Sequence, residues 1–168
     1  MTGRFVVEAL RADHDRARFS CGVDALDRYF QKQVMQDVRR RVTACFVATE
    51  VSQARIAGYY TLAAAGIPLA EMPAELVKRL PRYASVPVAR LGRLAVDLAF
   101  RDRKLGSALL WDAVKRSLAS EVAVFAMLVD AKDDQAAAFY LHHGFVPLGG
   151  QLAPRQLVLP LTRPAAKN

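Results

Sequence analysis

The stretch from Val88 to Asp130 constrains the fold more than any other part of the sequence. It opens with "VARLGRLAVD", whose β-branched and apolar residues read as a strand. A basic loop follows. From about Leu105 to Leu118, Leu109, Leu110, Ala113 and Val114 then recur at the spacing of an amphipathic helix. The stretch closes on "VAVFAMLVD", Val122 to Asp130, a nearly continuous apolar run. A strand reads this way when both its faces are covered. Two strands joined by a crossover helix in one sheet run parallel, so the chain is expected to hold a parallel pair backed by helices.

The remaining segments fit antiparallel neighbours. Arg4–Leu10 reads as a strand. In "FSCGVDALDRYFQKQVMQDVRRR", Leu26, Phe30, Val34 and Val38 recur every fourth residue and predict one amphipathic helix. Asp24 is placed as its N-cap, with Asp27 in the capping-box position. "VTACFVATE" and "RIAGYYTLAAAGI", separated by the polar Val51–Ala54, predict a hairpin. Pro68, Pro73, Pro81 and Pro87 punctuate an irregular connection with one short helical piece near Ala74–Arg79. "DDQAAAFYLHH" predicts a helix stopped at Gly144, and "FVPLGG" and "RQLVLPL" two short closing strands. The expected class is α/β: a mixed, mostly antiparallel sheet with one parallel pair and helices on both faces. Residues 1–161 are expected to form one domain, with a loose tail over 162–168.

The chain has 168 residues, and its 24 Lys and Arg outnumber 16 Asp and Glu, a formal net charge of +8. Such a surface draws anions: nucleic acid, phosphorylated cofactors, an acidic protein or a membrane surface. No apolar run approaches the ~20 residues that span a bilayer, and no signal peptide is visible. Cys21 and Cys45 lack metal-type spacing and read as buried free thiols, which suits a reducing cytosol. His142 and His143 are adjacent, so on a helix they point about 100° apart and are poorly placed to share a metal. C-terminal capping is their expected role, and no metal is expected.

The loop after Asp97 carries the chemistry most open to reading. Arg101, Arg103 and Lys104 precede Gly106 at the start of a helix. Unpaired N–H groups at a helix N-terminus bind phosphate, and a glycine there lets the backbone approach it. Taken alone, the same residues are also an ordinary basic helix start.

The following segment resembles the closing part of GNAT acetyltransferases: a strand, a helix with small residues, an aromatic–Tyr pair, then Gly-Phe. Here those positions are Ala136, Ala137, Phe139, Tyr140, Gly144 and Phe145. That family's phosphate loop reads Gln/Arg-x-x-Gly-x-Gly/Ala. In the register set by the strand, Arg101 and Gly106 match its ends and Lys104 stands where its first glycine usually lies; in a shifted register Arg103, Gly106 and Ala108 match. The resemblance implies the GNAT fold, with the parallel pair splayed, and acetyl-coenzyme A as cofactor. It further implies cofactor contacts from Leu94, Ala95, Val96, Arg101, Arg103, Lys104, Leu105, Gly106, Ser107, Ala108, Asp133, Ala136 and Phe139. Tyr140 is implied as the general acid toward the coenzyme A thiolate.

Three further pieces, "FSCGVDALDRYFQKQVMQDVRRR", "GYYTLAAAGI" and "KRLPRYASVPVARLGRLAVD", resemble the GNAT toxins that acetylate aminoacyl-tRNA. The resemblance implies transfer to the α-amino group of aminoacyl-tRNA and a block of translation in the bacterial cytoplasm. It also implies a cognate antitoxin, a small DNA-binding protein with an extended tail, and a homodimer. Asp97, Glu50 and Glu121 are the only acidic side chains considered as a base, and the weakly basic amine of an aminoacyl ester needs none. Arg39, Arg40, Arg82, Arg90 and Arg93 are expected to meet tRNA phosphates. Two other readings stay open: a GNAT enzyme acting on a small amine or protein N-terminus, and a non-catalytic nucleic-acid-binding module.

Overall fold

The computed structural model describes residues 4–149 and 155–162. Seven strands form one sheet: β1 (Phe5–Ala9), β2 (Ala44–Glu50), β3 (Arg55–Pro68), β4 (Ser85–Val96), β5 (Ala126–Asp130), β6 (Val146–Pro147) and β7 (Gln156–Pro160), in the order β1-β2-β3-β4-β5-β7-β6. Among the described residues five α-helices accompany them: α1 (Asp24–Lys32), α2 (Val34–Arg39), α3 (Ala74–Val77), α4 (Leu105–Ala119) and α5 (Asp134–His142). The chain divides into two compact units, Met1–Ala63 with Gly92–Ala113 and Ala64–Leu91 with Val114–Asn168; β3, β4 and α4 run through both. The expected C-terminal tail lies, from residue 163 on, outside the described residues. Among the described residues no helix is long and apolar enough to cross a membrane.

In the first unit β2 pairs antiparallel with β1 and β3. The β2–β3 turn is built by Glu50, whose carboxylate accepts from the Ser52 hydroxyl and the Ser52 and Gln53 amides. Ile56 through Thr61 are all buried, which is why this part of β3 does not alternate. The helical stripe does its expected work: Phe30 and Val34 are fully buried, and Leu26 and Val38 pack against the same core. Phe30 stacks on Tyr59 with ring centroids 4.2 Å apart, and the Tyr59 hydroxyl donates to the Leu26 carbonyl at 2.8 Å.

Two local expectations need correction. The predicted single helix is two, interrupted at Gln33. Arg16 donates to the Phe30 and Gln31 carbonyls at 3.0 and 3.2 Å, satisfying acceptors near the end of α1. Asp24 is not the N-cap: that position is Val23, without a side-chain bond, while Asp27 accepts from the Cys21 amide at 2.8 Å. The aspartate thus fixes the turn leading into the helix rather than its first turn.

In the second unit β4 and β5 are parallel, Val88–Leu91 facing Ala126–Val129, and β7 lies antiparallel on the other edge of β5. With both edges paired, Ala126–Val129 are buried. The strand is shorter than its apolar run: β5 begins at Ala126, and Val122 is 72% exposed. Ile67, Met72, Leu76, Val88, Leu128 and Val158 belong to this unit's core.

Candidate functional site

The first unit presents a braced loop at a helix start. Asp97, 1% exposed, ends β4 and accepts from the Ala99 amide at 2.9 Å, the Ser20 amide at 3.0 Å and Arg55 at 3.3 Å. Leu98 returns a bond from its amide to the Ser20 carbonyl at 2.9 Å. Arg101 donates from Nη2 to the Cys21 carbonyl at 2.9 Å. The Phe-x-Cys-Gly lead-in to α1 and the start of the loop are therefore clipped together at three backbone positions. The Asp97 and Glu50 carboxylates carry structural bonds, and Glu121 is exposed beyond the end of α4.

Beyond the brace the loop turns sharply. Asp102 and Lys104 have φ of 64° and 57°, the left-handed region that favours glycine. Lys104, which stands where the resemblance places a glycine, thus adopts a backbone form that favours glycine. Arg101, Arg103 and Lys104 are exposed, and α4 begins at Leu105 with Gly106 and Ser107 half-buried and Ala108 exposed. The Ala108 amide donates to the Lys104 carbonyl at 3.1 Å, and the amides before it in this 15-residue helix precede the first i−4 acceptor. Cations, left-handed turns and a helix N-terminus together suit a multiply charged phosphate group.

β4 supplies Leu94, Ala95 and Val96, which lie past its last pairing with β5 at Leu91. They are held by packing on β3: a Cβ on Gly58 would stand 2.9 Å from the Ala95 carbonyl oxygen and 2.8 Å from Leu109 of α4. Only a glycine lets strand and helix approach this closely, a requirement visible in the sequence only as a glycine inside a strand.

The second unit carries α5. Asp133 caps it, accepting from the Ala136 amide at 2.8 Å. Gly144, at φ 93°, ends it, with the Phe145 amide returning to the Tyr140 carbonyl at 3.1 Å. Tyr140 is held edge-on between Phe139 and Phe145, at ring centroid distances of 5.2 and 5.3 Å, and is 8% exposed. Among the described residues its hydroxyl has no hydrogen-bond partner, and burial pushes its pKa up to about 12. It therefore holds a proton throughout the physiological range. His143 takes the C-cap position, with its amide bonded to the Phe139 and Tyr140 carbonyls, and burial lowers its pKa. Among the described residues no cluster of His, Cys, Asp and Glu is arranged to hold a metal.

The basic residues expected to meet RNA divide between the units. Arg39 and Arg40 are exposed at the end of α2. Arg93 lies 3.4 Å from the centre of the Tyr29 ring, and the Tyr29 hydroxyl donates to Asp37 at 2.8 Å. That hydrogen bond, then Gln33, and the nearby Arg93 and Arg40 hold the Asp37 carboxyl below its ordinary range. In the second unit Arg82 is exposed, whereas Arg90 pairs with Asp130 at 2.6 Å. The partners of Arg93 and Arg90 were not evident from the sequence.

The family profile described as "Acetyltransferase (GNAT) domain" matches residues 42–147. A protein named "tRNA-acetylating toxin" from Mycobacterium tuberculosis (strain ATCC 25618 / H37Rv) is 35% identical over 147 residues, 86% of each chain. The structure described as "AtaT complexed with acetyl-methionyl-tRNAfMet" superposes with a TM-score of 0.86 at 27% identity, covering 94% of this chain and 95% of the other. "Crystal structure of AtaTR bound with AcCoA" superposes with a TM-score of 0.80 at 26% identity, covering 94% of each.

Proposed function

Because the chain belongs to the GNAT acetyltransferase family and is an acetyl-coenzyme A-dependent acetyltransferase, we propose that it transfers acetyl to the α-amino group of aminoacyl-tRNA and thereby blocks translation. The observation that carries the reading is 35% identity to a tRNA-acetylating toxin across 86% of the chain. The surplus of Lys and Arg, 24 against 16 acids, supports a polyanionic substrate.

Acetyl-coenzyme A, when bound, supplies the acetyl group as an activated thioester. Arg103, Lys104 and the amides of Leu105, Gly106 and Ser107 would hold its phosphates at the start of α4, whereas the Ala108 amide already donates to the Lys104 carbonyl at 3.1 Å. Arg101 would contribute its backbone and remaining N–H groups, since one guanidinium nitrogen is already bonded to Cys21. Leu94, Ala95 and Val96 would offer backbone groups to the pantetheine arm, and Asp133, Ala136 and Phe139 would line its passage along α5. Tyr140 Oη would hold the proton available to the thioester sulfur when its bond to the acetyl carbon breaks. Complete transfer from a phenol near pKa 12 to a thiolate near ~8.5 is uphill, so the proton acts chiefly by stabilising charge as it develops. No side-chain base is required, because the amine of an aminoacyl ester is substantially neutral at pH 7.

The reading also proposes a cognate antitoxin, DNA-binding and with an extended tail, together with a homodimer and action in the bacterial cytoplasm. Incubating the protein with radiolabelled acetyl-coenzyme A and charged total tRNA tests it. Label should enter the RNA fraction and leave on mild alkaline deacylation as N-acetyl amino acid. Label found only in small amines or protein N-termini would overturn the reading.

A further inference from the structure

We propose that Tyr83 is a stacking platform for an unpaired base at the acceptor end of the RNA substrate; the proposal rests on the aminoacyl-tRNA reading above. Tyr83 lies in the connection between α3 and β4 and is 70% exposed. It lines two cavities of its unit. One, of about 770 Å³, also includes Leu69, Met72 and Arg82; the other, of about 310 Å³, includes Pro87 and Phe125. Its backbone is restrained by a hydrogen bond from its N–H to the Pro81 carbonyl at 2.9 Å, in a turn whose Pro81 has a fixed φ. An aromatic ring held on a stiff backbone loses little freedom on stacking.

The surroundings choose the occupant. Lys78, Arg79 and Arg82 are exposed, and none has a carboxylate partner among the described residues. The Arg79 guanidinium sits 5.6 Å over the Phe125 ring. An exposed aromatic among uncompensated cations matches a nucleotide, which brings a π-face and a phosphate together. An apolar peptide would leave the cations unanswered. Duplex bases are already stacked on one another except at an open end, so an unpaired nucleotide uses the ring most readily. In a charged tRNA the unpaired 3′ nucleotides accompany the reacting amine. Stacking also tolerates any base, which suits an end common to all tRNAs.

The test measures acetylation kinetics on charged tRNA, and anisotropy with fluorescein-labelled RNA minihelices, either blunt or with unpaired 3′ nucleotides. The proteins are the wild type and the Tyr83→Ala, Tyr83→Leu and Tyr83→Phe variants. Tyr83→Ala and Tyr83→Leu should raise KM for charged tRNA about 5- to 150-fold, with kcat and acetyl-coenzyme A affinity near wild type. Both should also lose the preference for the overhanging minihelix, and Tyr83→Phe should retain it. Unchanged KM and unchanged minihelix preference in Tyr83→Ala would overturn the platform while leaving the acetyltransferase reading standing. Full activity in Tyr83→Leu, with weakened self-association in Tyr83→Ala by light scattering, would overturn it in favour of a protein interface. If the wild type acetylates no RNA, the function proposed above falls, and a wild type without preference for the overhang overturns the platform as well.

Discussion

Arg101 donates to the carbonyl of Cys21 at 2.9 Å, joining positions 80 residues apart in sequence. The bond sets the basic loop after β4 against the turn that begins α1, in parallel with the Ser20–Asp97 and Leu98–Ser20 bonds. Removing it should loosen the loop without dissolving the fold. Arg101→Ala is expected to lower Tm by about 2–4 °C, the equivalent of roughly 1 kcal/mol in a domain of this size. It should also weaken acetyl-coenzyme A several-fold in a thermal-shift titration. Arg101→Lys keeps a donor and should recover part of both losses. Unaltered cofactor affinity in Arg101→Ala would show that the clip does not position the loop.

Lys104 stands in the left-handed region at φ 57°. For an L-residue that conformation costs about 1–2 kcal/mol, which glycine escapes at the expense of extra freedom in the unfolded chain. Lys104→Gly should therefore leave the ligand-free protein as stable or up to about 1 kcal/mol more so by urea denaturation. Acetyl-coenzyme A should bind a few-fold more weakly, because one cation is gone. Lys104→Val keeps the strain, adds a branched Cβ, and should destabilise.

Gly58 marks a close approach of β3 to both β4 and α4. An added methyl would meet Leu109 at 2.8 Å and the Ala95 backbone oxygen at 2.9 Å. Leu109 can turn aside, but a paired strand cannot. Gly58→Ala should cost about 1–3 kcal/mol in urea denaturation. A wild-type midpoint would mean that the sheet absorbs the methyl.

Tyr140 predicts the shape of the pH–rate curve. Its pKa is raised to about 12, so the donor form is complete below pH 10. The single-turnover rate should rise through pH 6–8.5 as the amine loses its proton, then stay level to pH 10 without an alkaline fall. Tyr140→Phe should keep the rising limb and acetyl-coenzyme A affinity, while the rate drops about 10²–10⁴-fold. A falling limb near pH 9 that vanishes in Tyr140→Phe would mean that the hydroxyl titrates much lower than its burial implies.

Sequence alone determined the strand–helix–strand unit, the β2–β3 hairpin and the chemical character of the loop. Each rests on short-range information: the period of apolar residues, the polar break at Val51–Ala54, the basic residues before Gly106. The same periodicity carried the helical stripe straight through Gln33, where no proline or glycine gives warning. Only the fold brings Arg16 to the Phe30 and Gln31 carbonyls. Only the fold, likewise, decided which cations are engaged. Arg93 is spent on Tyr29 and Arg90 on Asp130, while Arg82 has no carboxylate partner among the described residues. A residue's type and its local period fix which face of an element it occupies. Its hydrogen-bond and charge partners come from segments tens of residues away, and these are chosen by how the whole chain packs.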